Sequence, residues 1–130
     1  MRKKISLIGI IIVLISGLLT GCSSGFSANS ELKDEYKNDV SATFAENYKQ
    51  LTLCAVKLNN NYDEIKSGNL DEYVELSDAI RENGNLSDTE SLLLKKHGNI
   101  YSDFLSIYVD KKDVKTKLKD DIQSVLDCYK

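Results

Sequence analysis

The sequence predicts an all-α protein, a small up-down bundle of three to four amphipathic helices. From residue 30 onward, apolar residues recur at steps of three and four, which is the period of one face of an α-helix. The chain contains no Pro, the strongest helix breaker. The connections between the periodic segments are short, as they are in up-down bundles.

The first 21 residues have the pattern of a secretory signal. Positions 2–4 are basic, and positions 5–19 are uncharged and rich in Ile and Leu. At about 15 residues, this apolar run is shorter than the roughly 20 residues that span a bilayer as a helix. Small residues follow it, which completes the signal pattern. We expect residues 1–21 to be removed from the mature protein.

The sequence LTGC at positions 19–22 resembles the lipobox of bacterial lipoproteins, a motif confined to the signal peptide. The resemblance implies that the Cys22 thiol receives a diacylglyceryl group and that cleavage after Gly21 makes Cys22 the N-terminus. Two acyl chains give stable anchoring, since each buried methylene contributes about 0.8 kcal/mol. The implied location is the extracytoplasmic face of the cell membrane. The alternative is an ordinary N-terminal membrane helix in which Cys22 has no role.

Residues 22–29 are predicted to be the lipidated Cys and a flexible tether. Seven residues after Cys22 reach at most roughly 25 Å, so the folded part stays near the bilayer. Phe26 is either incidental or inserted into the membrane interface. Residues 30–130 form the helical domain.

The first predicted helix covers residues 30–67, with Ser30 as its N-cap and Ser67-Gly68-Asn69 as its stop. At about 38 residues it is long for a globular protein, so a kink at residues 59–61 is the alternative. If the helix is continuous, it is longer than its partners, and its first turns form a stalk below the bundle.

Three more helices are predicted. The second covers residues 70–82, and the third runs from about 88 to 109. Ser87 and Glu90 form a capping box at the start of the third helix. Gly98-Asn99 is a weak point, costing roughly 1 kcal/mol against Ala, where this helix can divide. The last helix covers residues 114–129.

The charge of the mature chain argues against nucleic-acid binding. Without the three basic signal residues, 14 basic residues face 20 acidic ones. Nucleic-acid recognition needs a basic face. Residues 111–119 nevertheless contain five lysines and one Asp. This run is either a solvated helix surface or a docking face for a partner or for the membrane.

Two cysteines remain after Cys22 is assigned to lipid. Cys54 and Cys128 are an even pair in a chain expected outside the cytoplasm, where disulfides persist. A bridge between them would close a loop of about 75 residues and contribute roughly 4 kcal/mol. The alternative is two buried thiols that behave as small apolar residues. Both interpretations stay open at the sequence level.

No catalytic, cofactor-binding or metal-binding residues are predicted. His97 is the only histidine and has no ligand partner at metal-binding spacing, so we expect a hydrogen-bonded core residue. Glycine patterns that bind phosphate and the strand–turn–helix of a nucleophile elbow are absent from the sequence. Adjacent carboxylates on a helix do not converge on one point.

Three functions are therefore considered. The first is a lipid-anchored interaction or protective protein at the cell surface, which meets a protein partner of unknown identity. The second is a small ligand-binding accessory of a transporter, although the mature chain is short for a two-lobed receptor. The third is an envelope enzyme, which the lack of catalytic motifs disfavours.

Overall fold

The computed structural model describes residues 26–82 and 84–130, and this part of the chain is an all-α bundle, as predicted. Its helices are α1 (Asp34–Lys37), α2 (Ala42–Asn59), α3 (Tyr62–Lys66), α4 (Asp71–Glu82), α5 (Asp88–Tyr108) and α6 (Lys115–Leu126). Among the described residues, β pairing is limited to one isolated antiparallel bridge between Leu32 and Tyr129. No helix of this part is both long and apolar enough to cross a bilayer.

The four longer helices alternate in direction, which confirms the up-down topology. Contacts join the end of α2 to the start of α4 (Lys57 Nζ to Glu72 Oε2, 3.4 Å) and the end of α5 to the start of α6. α2 and α5 run parallel, because the Tyr48 hydroxyl donates to the Leu93 carbonyl at 2.7 Å. We call the end where α2 and α5 begin the lower end of the bundle, and the opposite end the upper end.

α2 is the central helix, in contact with α4, α6, α3 and α5. Ten of its 18 residues are buried, because it has neighbours on several sides. The largest side chains that are almost wholly buried come from α2, α4 and α5: Tyr48, Tyr73, Phe44 and Phe104. Aromatic rings therefore fill the centre of the bundle.

The prediction of one long first helix is wrong. The chain leaves the helical conformation twice, once between α1 and α2 and once between α2 and α3. The second break is the kink foreseen as the alternative at residues 59–61. The first was not foreseen: Ser41 is the N-cap of α2, and its side chain accepts a hydrogen bond from Phe44 N. Ser30 instead closes a turn with Ser27.

The stalk, which depended on a continuous first helix, is not formed. Residues 26–29, which were predicted as part of a flexible tether, belong to the folded domain. Phe26 is only 6% exposed, and its ring lies edge-on to the ring of Tyr129 with centroids 4.6 Å apart. Lys33 N donates to the Cys128 carbonyl at 2.9 Å, and Lys130 N donates to the Glu31 carbonyl at 2.9 Å. The segment from residue 26 to 33 is thus part of the folded domain and pairs with the C-terminus at the lower end.

The second half of the chain follows the predictions closely. The capping box between Ser87 and Glu90 is formed at the start of α5. Gly98 does not divide this helix, which continues to Tyr108. Tyr108, at the end of this helix, is 40% exposed. α6 ends at Leu126, three residues early, because the chain turns there toward the bridge with Leu32.

Candidate functional site

The predicted lipidation site, Cys22, lies outside the described residues, and its modification stays a prediction. The structure locates the residue that follows it by four positions, Phe26, in the core of the lower end. Four residues of extended chain span at most about 14 Å. The lower end is therefore the part of the domain that a lipid on Cys22 would hold nearest to a membrane.

Charges at the lower end are largely compensated. Lys37 pairs with Glu31 at 3.2 Å, and Lys130 pairs with Asp34 at 3.1 Å, all on exposed side chains. Exposed pairs of this kind add little stability. Their effect is that this surface shows both signs of charge together. These ion pairs do not give the lower end a basic face for anionic lipid.

A single carboxylate joins the two helices that start at the lower end. Glu90 Oε1 accepts from Ser87 N at 2.9 Å, closing the capping box of α5. Glu90 Oε2 accepts from Ser41 N, the N-cap amide of α2, also at 2.9 Å. Burial by itself raises the pKa of Glu90, but the hydrogen bonds from Ser41 and Ser87 outweigh it and hold the pKa below its usual value. Glu90 therefore acts as a buried anionic clamp between α2 and α5.

His97 is buried among polar partners, as the sequence predicted. Its Nε2 lies 2.9 Å from Thr52 Oγ1, and its Nδ1 lies 2.6 Å from the Tyr73 hydroxyl. Thr52 Oγ1 in turn donates to the Tyr48 carbonyl at 2.9 Å. Since Thr52 has one hydroxyl proton, we assign the neutral tautomer in which His97 Nε2–H donates to Thr52 and Nδ1 accepts from Tyr73.

This arrangement is a buried polar contact that joins three helices. Burial lowers the pKa of His97 to about 3, so the ring is neutral at physiological pH. Both hydroxyls beside it already donate their protons, Thr52 to the Tyr48 carbonyl and Tyr73 to His97 Nδ1. Only 2% of His97 is exposed, which leaves no room for a substrate. The network specifies how α2, α4 and α5 pack.

Of the two interpretations left open for Cys54 and Cys128, the structure shows the second, two free and buried thiols. Cys54 belongs to the upper half of α2, whereas Cys128 lies at the lower end with its Sγ 3.6 Å from the Ser124 carbonyl. Burial raises the pKa of Cys54 to about 12, which disfavours the reactive thiolate.

A carboxylate pair that sequence reasoning missed joins α5 to α6. Asp103 on α5 is buried, and Lys117 Nζ donates to it at 2.8 Å and to Asp121 at 2.9 Å. Burial, together with the neighbouring Asp121 carboxyl, raises the pKa of Asp103 to about 6. Asp103 Oδ2 has no hydrogen-bond donor among the described residues. The pair was missed because its members lie on different helices.

The lysine run divides between two environments. Lys117 is bound by two carboxylates, which raise the pKa of its ammonium group. Lys111, Lys112 and Lys115 lie at the upper end, where they line one cavity together with Lys66 of α3. This cluster is not visible in the sequence, because 45 or more residues separate Lys66 from the lysine run.

Comparison with known proteins gives no relative: the chain matches no protein-family model, no curated protein and no solved structure.

Proposed function

We propose that this protein is a lipid-anchored extracytoplasmic lipoprotein that acts without catalysis, by binding or shielding at the cell surface. The observation that carries the proposal is the LTGC motif ending four residues before a core residue, Phe26. An acylated Cys22 would hold a folded domain close to the bilayer rather than at the end of a long linker.

The position of Phe26 also gives the domain an orientation. Its lower end would face the membrane, because the chain enters the fold there. α2 has 18 residues and is about 27 Å long, so the upper end would lie about that much farther out. A protein held in this way presents the loops of its upper end to whatever approaches the cell.

Interaction is favoured over catalysis by where the reactive side chains lie. His97, Cys54 and Asp103 are buried and belong to packing contacts between helices. Large apolar side chains are instead exposed along α5 and just after it, including Leu92 at 53% and Val109 at 62%. We propose that these exposed aliphatic groups are where a partner makes contact.

The anchor is tested by the substitution Cys22→Ala. We expect the variant to leave the membrane fraction or to accumulate as an unprocessed precursor, since no thioether can form. Cys128→Ala is the matched control, because it removes a thiol that has no part in the anchor. Fractionation and intact-mass measurement read the result. Unchanged mass and membrane retention of Cys22→Ala would refute the lipoprotein proposal.

The interaction role is tested by crosslinking in intact cells with a photoreactive residue in place of Val109. We expect a defined adduct that is absent when the same residue replaces Asn29 at the lower end. A search that recovers no adduct above background at several upper-end positions would count against an interaction protein.

A further inference from the structure

The upper end of the bundle contains a cavity of about 240 Å³ that is lined mainly by cations. Four lysines line it, and Asp113 is the one acidic residue of the lining. Ile107 and Tyr62 form its apolar part. The lysines come from two separate pieces of chain, α3 and the lysine run: Lys66, Lys111, Lys112 and Lys115. On a chain whose mature part is acidic, this is a local reversal of charge.

The cations of this cavity, which we call the lysine pocket, are not neutralised by ion pairs. Among the described residues, the salt bridges involve other lysines, such as Lys57 and Lys117. Asp113 offsets part of this charge, and its Oδ1 accepts from Lys115 N at the start of α6. Asp63 and Glu64 belong to a neighbouring depression that shares two of the lysines. The pocket itself is left with an excess of positive charge.

Two of the four lysines are positioned by aromatic rings. Lys115 Nζ lies 4.6 Å from the ring centroid of Tyr62, and Lys111 Nζ lies 5.3 Å from that of Tyr108. Cation–π contacts orient an ammonium group. Its N–H donors can still bind an anion. Tyr108 is in turn held against Gly68, where a Cβ would come within 2.5 Å of the ring.

The backbone is strained at Lys111, one of the residues that line the pocket. Its φ is +57°, a left-handed conformation that favours Gly. The turn is closed by Lys112 N, which donates to the Ser106 carbonyl at 3.0 Å. A Gly would be more stable at this position. Strained backbone of this kind clusters at functional sites.

We propose that the lysine pocket binds a phosphoryl group. Lys is a point charge that suits phosphate, whereas bidentate recognition of a carboxylate favours the planar fork of Arg, and no Arg lines this pocket. Four ammonium groups supply up to twelve N–H donors. That number matches the several oxygens and the double charge of a phosphate rather than the two oxygens of one carboxylate. The small volume fits a single phosphoryl group of a larger or polymeric ligand.

This inference does not depend on the lipid anchor, because every residue of the pocket lies within the described domain. The pocket lies at the upper end, away from the membrane into which a lipid on Cys22 would insert. The phosphoryl group then belongs to a free or polymeric phosphate, or to the headgroup of a lipid in an apposed membrane.

The test is a titration of the full chain in non-ionic detergent with inorganic phosphate and with linear polyphosphate at constant ionic strength. We expect saturable binding, with glutamate at least tenfold weaker. Lys66→Gln combined with Lys112→Gln should weaken polyphosphate binding about twenty-fivefold, since each lysine near an anion contributes about 1 kcal/mol, or about fivefold. Lys33→Gln combined with Lys95→Gln is the control, because it removes two exposed lysines outside the pocket. Equal affinities of the two double variants would overturn the proposal, as would tighter binding of glutamate.

Lys111→Gly separates binding from folding. We expect its Tm to be unchanged or raised, because Gly relieves the left-handed strain, while its affinity for polyphosphate falls about fivefold. A lowered Tm, or an unchanged affinity, would contradict the assigned role of Lys111. Neutral vesicles that carry the protein, mixed with phosphatidylglycerol vesicles, identify the source of the phosphate. Tethering of the two populations supports the lipid headgroup; binding of polyphosphate without tethering supports a free or polymeric phosphate.

Discussion

His97 shows how one buried side chain sets a pH limit on the fold. Its pKa is lowered to about 3 in the folded chain, against 6.5 for an ordinary histidine. Below pH 6.5 the His97 ring is protonated in the unfolded chain but stays neutral in the folded chain. The contribution of the neutral ring to stability is therefore complete above pH 6.5. It is lost as the pH falls toward 3.

We predict that His97→Gln removes this part of the acid sensitivity. Gln keeps a donor and an acceptor but does not titrate, and its different shape should cost about 1–3 kcal/mol at pH 7. The wild type should lose about 3 kcal/mol more than the variant between pH 7 and pH 4. Urea unfolding at both pH values measures the difference. Carboxylates titrate alike in the two proteins and cancel. Equal acid sensitivity would contradict the assignment.

Asp103 should give stability the opposite dependence on pH. Its pKa is raised to about 6 in the folded chain, from an ordinary 3.8, by burial and by Asp121. The stability contributed by the protonated group is complete below pH 3.8 and is lost as the pH rises through 6. We predict that Asp103→Asn stabilises the protein by about 1 kcal/mol at pH 7 and changes little at pH 4. Asp120→Asn, an exposed Asp on α6, is the control.

The result can be read from Tm at the two pH values. A loss of more than about 1 kcal/mol at pH 7 would show that the ion pair with Lys117 outweighs the cost of the buried carboxylate. In that case the raised pKa of Asp103 would not govern the stability of this contact between α5 and α6.

At the scale of the helices, the Glu90 carboxylate stabilises the N-terminal ends of both α2 and α5. We predict that Glu90→Gln costs about 1–2 kcal/mol at pH 7, because a Gln has one oxygen for the two amides of Ser41 and Ser87. Its NH₂ would face the other donor. Glu75→Gln, on an exposed position of α4, is the matched control. Urea midpoints that are the same for both variants would refute the clamp.

The pH dependence gives this prediction a second readout. The pKa of Glu90 is held below its usual 4.5. Its contribution to stability is therefore present above pH 4.5 and is lost as the pH falls through the lower folded value. The wild type and Glu90→Gln should approach the same stability in acid, where the wild-type carboxyl is protonated.

The break between α1 and α2 shows where sequence reasoning ends. Apolar residues keep a helical spacing through Leu32, Tyr36, Val40 and Phe44, so periodicity alone predicts a continuous helix. The start at Ser41 is stabilised by Glu90, which is 49 positions away in sequence. α5, in contrast, is predicted well because its capping box is local. Local signals are visible in a sequence, whereas a cap supplied by a distant helix is not.

The same limit applies to the candidate sites. LTGC is a contiguous motif and can be recognised without a structure. The lysine pocket needs α3 to meet the loop before α6, and the interaction of Asp103 with Asp121 needs two helices to be adjacent. His97 was predicted as a core residue because an apolar helical face is itself a local pattern. Its partners Thr52 and Tyr73 only become evident in the fold.

For the whole molecule, the proposed anchor implies one orientation of the domain on a membrane. Phe26 packs on Tyr129, and Lys130 N pairs with the Glu31 carbonyl, so both ends of the described chain meet at the lower end. An anchor just before Phe26 would then place this end against the lipid. The bundle axis would direct the upper end, with its lysine pocket, away from the bilayer by about the 27 Å length of α2.

We predict that fluorophores on the lipidated protein in vesicles will report this polarity. One is attached at Asn29→Cys, an exposed lower-end position, and the other at Asp110→Cys, an exposed upper-end position. Labelling is selective, because Cys54 and Cys128 are buried and Cys22 would carry the lipid. Lipids with a nitroxide on the headgroup should quench the label at position 29 strongly and the label at position 110 little. Equal quenching would mean that the domain lies on its side, and the upper end would then be as close to the lipid as the lower one.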